Sequence, residues 1–209
     1  MTRHALSLLT VLALATIVFP ARAQETYQRT KPDVVIFEGK YPGWPWITAG
    51  ASGTLYCVWR EGTIHDYSAD GRIMLAQSSD KGRTWTEPKV ITDEPEIDDR
   101  NVAIVELPNG ELLITYNTYT AAKESLAVMS RSSDGGKTWE PWLHRIDNPQ
   151  SLNLNAVRGI GNDVFIVGER GQIYRLDRSK DRFERTDTGY IGSFFGITGN
   201  PDVLIAYGL

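Results

Sequence analysis

Short runs in which apolar residues alternate with polar ones fill most of the chain beyond residue 40. The runs are rich in β-branched and aromatic side chains, and Gly, Pro, Asn and Asp stand between them. This pattern is typical of half-buried β-strands joined by tight turns. No convincing helical pattern follows residue 23, so the sequence predicts an all-β protein.

The strand-like runs group into successive units. The first unit comprises residues 46–49, 54–60, 72–77 and 89–91, and the second comprises residues 102–107, 111–118, 126–131 and 142–146. Runs at 154–161, 163–168 and 171–175 begin a third unit, and runs at 194–199 and 202–208 begin a fourth. A Pro-Asn-Gly tripeptide at 108–110 marks a hairpin turn in the second unit. Each unit fits one antiparallel sheet of four strands.

One octapeptide occurs twice, and the two copies begin 54 positions apart, at Ser78 and Ser132. Both copies fit Ser-x-Asp-x-Gly-x-Thr-Trp, and each lies between two strand-like runs. The aspartate can accept backbone N–H groups across a turn, the glycine allows positive φ, and the tryptophan can pack against the hairpin. We therefore expect a structural role for Asp80 and Asp134.

This octapeptide resembles the Asp-box, or BNR repeat, of sialidases and other β-propellers. The resemblance implies a β-propeller of four-stranded antiparallel blades, with the boxes on its outer rim and any ligand at its centre. Residues 41–146 are similar to the N-terminal part of a bacterial exo-sialidase. Residues 152–209 resemble the repeats of the photosystem II assembly factor family Ycf48/Hcf136, another group of Asp-box propellers, and Ser179-Lys180-Asp181 is interpreted as the remnant of a third box.

The chain has room for about four blades, since such repeats take roughly 40 to 50 residues each. Propellers of this kind close with six or seven blades, so we expect a propeller truncated at its C-terminus. An open ring would leave strand edges and an apolar blade face exposed.

The first 23 residues are typical of a secretory signal peptide. Basic residues precede an apolar run at 5–18, and Ala21-Arg22-Ala23 forms a small-x-small cleavage site. The sequence therefore predicts a secreted or periplasmic protein whose propeller domain occupies residues 24–209. No membrane span is expected after signal cleavage.

Charge and ligand chemistry exclude several function classes. Cleavage removes Arg3 and Arg22 and no acidic residue, which lowers the formal charge from −4 to −6 and argues against a nucleic-acid partner. Cys57 is the only cysteine, and its strand context predicts a buried thiol. The three histidines are scattered, so we expect no metal site and no cofactor.

A candidate catalytic acid follows from the resemblance to sialidases, whose acid/base aspartate lies on a loop about a dozen residues ahead of the first box. Asp66 lies 12 residues before Ser78, and Asp70 is the alternative on the same loop. A carboxyl group suits this position because a leaving glycosidic oxygen must be protonated and a water later deprotonated. A solvated loop carboxylate is the simpler alternative.

Substrate-binding candidates are Arg60, Asp99 and Arg100. The resemblance implies three arginines that bind a substrate carboxylate, because a guanidinium can bind it bidentately. The first should fall within residues 41–45, where no arginine is present. Arg60 could replace it or could lie on the outer surface, and residues 98–100 could face the centre or connect two blades.

The leading hypothesis is a secreted sialidase-like glycoside hydrolase, or an inactive descendant of one, whose substrates are terminal acidic sugars of glycans such as sialosides. The alternative is a non-catalytic propeller that binds a protein or a glycan as a scaffold or assembly factor. The resemblance of residues 152–209 and the missing first arginine favour this alternative.

Overall fold

A computed structural model describes residues 33–209, so the predicted signal peptide lies outside the described residues. The strands of the first sheet are β1 (Gly43–Ala49), β2 (Leu55–Glu61), β3 (Arg72–Ser78) and β4 (Lys89–Thr92). Those of the second are β5 (Asp98–Glu106), β6 (Leu112–Tyr119), β7 (Ser125–Ser132) and β8 (Glu140–Pro141). Those of the third are β9 (Leu154–Ile160), β10 (Asp163–Gly168), β11 (Ile173–Asp177) and β12 (Arg182–Thr186). A hairpin of β13 (Phe194–Gly199) and β14 (Leu204–Gly208) follows.

The four sheets are arranged radially. Within each sheet the strands are antiparallel and follow sequence order. The first strands of successive sheets, β1, β5, β9 and β13, contact one another. These first strands therefore surround a common centre, and the sheets are the blades of a β-propeller, which confirms the predicted fold class.

The register defines two ends of the propeller. Because β2 pairs with both β1 and β3 in antiparallel register, the start of β1 and the β2–β3 loop lie at one end, which we call the upper end. The β1–β2 turn and the octapeptide after β3 lie at the other, lower end.

Every first strand contains one extra residue near its start. In the first sheet Gly43 pairs with Arg60 and Trp46 pairs with Val58. Two residues of β1 therefore lie between these pairs, but only one residue of β2. The same shift recurs in β5, β9 and β13. In β1 the bulge contains Trp44 with φ of 48°, and in β5 it contains Asn101 with φ of 56°. These are β-bulges, which kink a strand and redirect its side chains.

The hydrophobic core consists of layers between neighbouring blades. One cluster joins the first and second sheets, another the second and third, and another the third and fourth. Trp46 packs against all three clusters. Its indole therefore links the layers at the centre of the molecule.

Both octapeptides form the predicted turns. In the second, the Asp134 carboxylate accepts the Thr138 N–H (2.9 Å) and hydroxyl (2.7 Å), while Ser132 Oγ accepts the Gly136 N–H at 2.8 Å. In the first, Asp80 accepts the equivalent N–H of Thr84 at 2.9 Å. These bonds, that of the Thr84 N–H first, lower the pKa of Asp80 to about 2. The carboxylates are thus turn caps on the outer part of the blades.

Two local predictions were wrong. The last strand of the second sheet is β8, whereas residues 143–145 of the predicted strand form a 3₁₀ turn. The last bond to β7 is that of the Trp142 N–H, which donates to the Met129 carbonyl at 2.7 Å, and the Arg145 N–H then bonds within the turn, to the Trp142 carbonyl at 3.0 Å. The third turn is capped by Asp177, not Asp181: its carboxylate accepts the N–H of Ser179 at 2.9 Å. Asp181 instead has φ of 49° and pairs with Arg145.

The last hairpin presents an apolar surface. Leu204, Ile205 and Tyr207 of β14 are exposed, and so is Phe195 of β13.

Candidate functional site

Residues from five segments meet at the upper end between the first two blades. The segments are the start of β1, the end of β2, the β2–β3 loop, the start of β5 and the end of β6. The Asp99 N–H donates to the Gly71 carbonyl at 2.9 Å. We call the side chains that meet there the upper cluster: Trp44, Arg60, His65, Asp66, Asp98, Arg100 and Tyr119. Three of the predicted site residues, Arg60, Asp66 and Arg100, thus come together, but Asp99 does not join them.

A buried ion pair forms the base of the upper cluster. Arg60 Nε donates to Asp98 Oδ1 at 2.8 Å and Nη2 to Oδ2 at 2.9 Å, and both side chains are 0% exposed. Arg60 Nη1 donates to the Ile64 carbonyl at 2.7 Å. Arg60 therefore lies neither on the outer surface nor open to solvent. Removing one partner of such a pair would leave an uncompensated buried charge.

Two glycines make room for this ion pair. A Cβ at Gly71 would lie 1.9 Å from Asp98 Oδ1, and a Cβ at Gly62 would lie 2.7 Å from the guanidinium carbon of Arg60. The two glycines lie at the two ends of the β2–β3 loop. Any other residue at either position would displace the side chain of Arg60 or Asp98, so the glycines allow the loop backbone to lie close to the ion pair.

Arg100 connects the loop to the second blade. Its Nη2 donates to the carbonyls of His65 (3.2 Å) and Asp66 (3.0 Å) and to the Asp98 carboxylate. Its guanidinium lies 4.6 Å from the Tyr119 ring and 5.2 Å from the Trp44 ring, which are cation–π distances. These contacts hold the backbone at Asp66 in place.

Asp66 and Asp70 differ in their surroundings, although both are exposed. Asp70 accepts the Thr63 hydroxyl at 2.5 Å and also the Ser68 hydroxyl. These bonds, that of Ser68 first, lower the pKa of Asp70 to about 2. Within residues 33–209 no hydrogen bond or ion pair reaches the Asp66 carboxylate, so Asp70 caps the loop while Asp66 projects freely from it.

Asp99 lies on the opposite side of β5 from Asp98 and Arg100, since successive strand residues point to opposite faces. It is 0% exposed and accepts the Thr92 hydroxyl, but its Oδ1 has no partner among the described residues. Burial raises the pKa of Asp99 to about 6. The structure thus places this predicted binding residue between two blades rather than in the upper cluster.

Trp44 occupies the segment where the sialidase resemblance implies an arginine. The indole lies 5.2 Å from the His65 ring, with the guanidinium groups of Arg60 and Arg100 at 5.6 and 5.2 Å. Its positive φ places a bulky residue in a region that such residues rarely adopt. The bulge therefore directs an aromatic ring over both arginines.

Sequence reasoning considered residues 98–100 together but chose Asp99 and Arg100 as site residues, whereas Asp98 is the one that contacts both arginines. The signal was available: Asp98 and Arg100 are two residues apart in a strand and must share a face, whereas Asp99 must not. Tyr119 was missed as a member of the cluster.

The lower end has a cavity of about 550 Å³ between the ends of β1, β5 and β9. Arg158 of β9 lines it and is exposed. Cys57 is buried, as predicted, and burial raises its pKa to about 11. Among residues 33–209 no His, Cys, Asp or Glu side chains are grouped as a metal site. That part of the chain also contains no helix long and apolar enough to span a membrane.

Comparison with family models identifies the fold family. A model described as "BNR repeat-like domain" matches residues 44–168, more than half of the chain. The chain belongs to the BNR repeat-like family. The match covers the first two blades with their octapeptides and extends through β10 of the third, which confirms the predicted Asp-box resemblance. No curated protein matches the sequence.

Solved structures share the fold of this BNR repeat-like chain at low identity. A K499G mutant of NanB sialidase from Streptococcus pneumoniae has a TM-score of 0.58 at 13% identity, over 77% of this chain and 47% of that one. A protein of unknown function from Dyadobacter fermentans has a TM-score of 0.56 at 16% identity, over 73% and 56%. The sialidase Hz136, titled "Hadza microbial sialidase", has a TM-score of 0.54 at 13% identity, over 71% and 38%. The matched parts thus span between 38% and 56% of these neighbours' lengths.

Proposed function

We propose that this chain is part of an exported glycan-directed propeller whose upper cluster is a glycosidase-type site, with Asp66 as the general acid/base. The observation that carries the proposal is the contrast between a freely exposed Asp66 carboxylate and the backbone beneath it, which Arg100 holds through two carbonyls. A general acid needs this combination, because its proton must reach one defined oxygen.

Each neighbouring residue has a distinct role in this proposal. Asp66 would give a proton to the glycosidic oxygen as the bond to the anomeric carbon breaks and a nucleophilic side chain, a tyrosine by the sialidase resemblance, bonds to that carbon. It would then take a proton from the water that displaces this side chain. Arg60 and Asp98 would position the loop from below without touching the sugar. Arg100 would hold the loop and, through an Nη1 that makes no hydrogen bond within residues 33–209, could also reach a sugar hydroxyl.

The solved neighbours support the proposal only at the level of the fold. Sialidases are among them, and this chain shares their blade architecture. The residues 1–23 support export to the periplasm or the exterior, and N-terminal sequencing of the mature protein, with Gln24 expected first, checks this location.

The assay compares fluorogenic glycosides, one a sialoside and several neutral, with the wild-type chain and with Asp66→Ala and Asp70→Ala variants. Loss of a general acid typically lowers the rate by about 10² to 10⁴-fold, so we expect kcat to fall in that range for Asp66→Ala, at unchanged thermal stability. Asp70→Ala removes a loop cap, so it should lower the melting temperature and reduce the rate less. Equal rates for the wild type and Asp66→Ala would rule out the assigned role.

The second candidate function is glycan or protein binding without catalysis. It is favoured by Trp44, which stands where the sialidase resemblance implies the first arginine, and by Arg60, each of whose three nitrogens already donates to an internal acceptor. Binding of a glycan by a wild-type chain that hydrolyses none of the fluorogenic substrates would select this candidate.

A further inference from the structure

The charges of the upper cluster cancel within the cluster. It contains two arginines and two aspartates, and the loop adds the carboxylate of Asp70. We propose that this site selects an uncharged terminal sugar and discriminates against an acidic one. The proposal rests on the proposed function in one respect: it requires that the upper end recognises a glycan, with or without hydrolysis.

All three nitrogens of Arg60 already donate to internal acceptors. Its Nε and Nη2 bind the two oxygens of Asp98, and its Nη1 binds the Ile64 carbonyl. The side chain is 0% exposed. A substrate carboxylate could reach this guanidinium only by displacing Asp98, which would bury a carboxylate without its partner.

Arg100 offers little for a ligand carboxylate. Its Nη2 is shared by Asp98 and two loop carbonyls, and aromatic rings of Trp44 and Tyr119 lie against the guanidinium. Its Nε has no partner among the described residues but is buried, and only 13% of the side chain is exposed. Bidentate capture of a carboxylate would pair Nη2 with Nε or Nη1, and Nη2 is already engaged, so the free Nη1 suits a hydroxyl group better.

Two exposed carboxylates lie on the β2–β3 loop, and half-buried tyrosine rings lie near it. Asp66 is a free carboxylate at the opening, and Asp70 stays ionised because its pKa is about 2. The negative charges of these two carboxylates repel a ligand carboxylate that approaches the opening. Sugar hydroxyls, in contrast, can donate to Asp66, and the C–H face of a neutral ring can pack on an aromatic side chain such as Tyr41 or Tyr119.

The test uses an array of oligosaccharides printed in pairs, each neutral chain beside the same chain capped with sialic acid, and measures binding of the full chain. We expect the wild type to bind neutral members at least about fivefold more tightly than their sialylated partners. The preference should weaken at high salt, because screening reduces repulsion between exposed charges.

A charge variant separates repulsion from shape. Asp66→Asn keeps the size of the side chain and removes one negative charge at the opening, so it should raise sialylated binding relative to neutral binding by about threefold or more. Asp202→Asn removes the same charge from an exposed turn at the lower end, after β13, and should leave the ratio unchanged.

Three results would overturn the inference. Equal or tighter binding of the sialylated members would do so while leaving glycan recognition intact. An unchanged ratio in Asp66→Asn would show that charge does not set the preference. Binding to no member of any pair would remove glycan recognition at this end, and the proposed function would fail with it.

Discussion

Single residues in this chain take their roles from which side of a strand they occupy. Asp98, Asp99 and Arg100 are consecutive, yet the first and third contact the β2–β3 loop while the second is buried between blades. The alternation of side chains along β5 accounts for this division. Of these three adjacent polar residues, two thus belong to the upper cluster and one is a carboxyl group buried between blades.

The internal carboxyl group predicts a pH dependence of stability. Burial raises the pKa of Asp99 from an ordinary 3.8 to about 6, so the folded state binds this proton more tightly than the unfolded state does. Its contribution to the free energy of unfolding should therefore increase as the pH falls from about 6 to about 4, and should be lost as the pH rises through 6. The change in pKa corresponds to a difference of roughly 3 kcal/mol in the free energy of unfolding between low and high pH.

Asp99→Asn tests this dependence, since the amide keeps an acceptor for Thr92 and carries no charge. Urea unfolding at pH 4, 5, 6 and 7 should show a variant more stable than the wild type at pH 7 and similar to it at pH 4. Asp202→Asn, on an exposed turn, should reproduce the wild-type profile. Parallel pH profiles for the wild type and Asp99→Asn would contradict the assignment.

At the level of elements, two adjacent glycines of the second octapeptide differ in how closely they approach the preceding blade. A Cβ at Gly136 would lie 2.9 Å from Leu75 of the first blade and 3.3 Å from Leu112. A Cβ at Gly135 would meet nothing within 4 Å. Both glycines have positive φ, 82° and 72°, so backbone strain from a substitution is similar at the two positions. They form a matched pair that isolates contact between blades.

Gly135→Ala should cost about 1 kcal/mol of unfolding free energy, the usual penalty for an L-residue with left-handed backbone. Lys81 already adopts such a conformation at the matching position of the first octapeptide, with φ of 64°. Gly136→Ala should cost about 1 to 3 kcal/mol more, because the new methyl group overpacks the space beside Leu75. Equal midpoints for the two variants in urea unfolding would show that the blades do not meet there.

Elements with strong local signals were predicted from the sequence, and those set by their neighbours were not. The second and third strands of the first two blades were located to within about two residues, because β-branched runs and turn residues bound them. The strand predicted at 142–146 was wrong. Tryptophan is common in strands, but Trp142 is buried in the cluster between the second and third blades. β12 was missed since only Phe183 of its five residues is buried.

The candidate site was predictable only in part. The spacing of Asp66 from the first octapeptide located the loop, but Asp66 and Asp70 have equivalent sequence contexts. Only the contacts of Thr63 and Ser68 distinguish them. The buried pair of Arg60 and Asp98 joins residues 38 positions apart, a pairing that one sequence alone does not disclose.

At the scale of the whole molecule, Trp46 connects packing layers that otherwise belong to different pairs of blades. It contacts the cluster between the first two blades, the next cluster, and the one that includes Ile197 of β13. Since repeat proteins gain stability from the interfaces between neighbouring units, a residue shared by three interfaces should affect all of them.

Trp46→Ala should therefore destabilise the chain by roughly 3 kcal/mol, as expected for loss of a large aromatic side chain from a core. Trp85→Ala is the comparison, because Trp85 packs against a single cluster, which contains Trp59 and Met74 of the first blade. Hydrogen exchange should show lower protection in the second and third blades for Trp46→Ala, and in the first blade only for Trp85→Ala. Loss of protection confined to the first blade in both variants would contradict the shared role of Trp46.

The extra residue in every first strand divides that strand into an upper part and a lower part. Because side chains alternate with a period of two, an inserted residue reverses the inward and outward order on one side of the insertion relative to the other. Substitutions above it can alter what the molecule recognises while the interior below keeps its arrangement. Each blade of a repeat protein with such a bulge can therefore change its ligand-facing residues while the packing of its core stays the same.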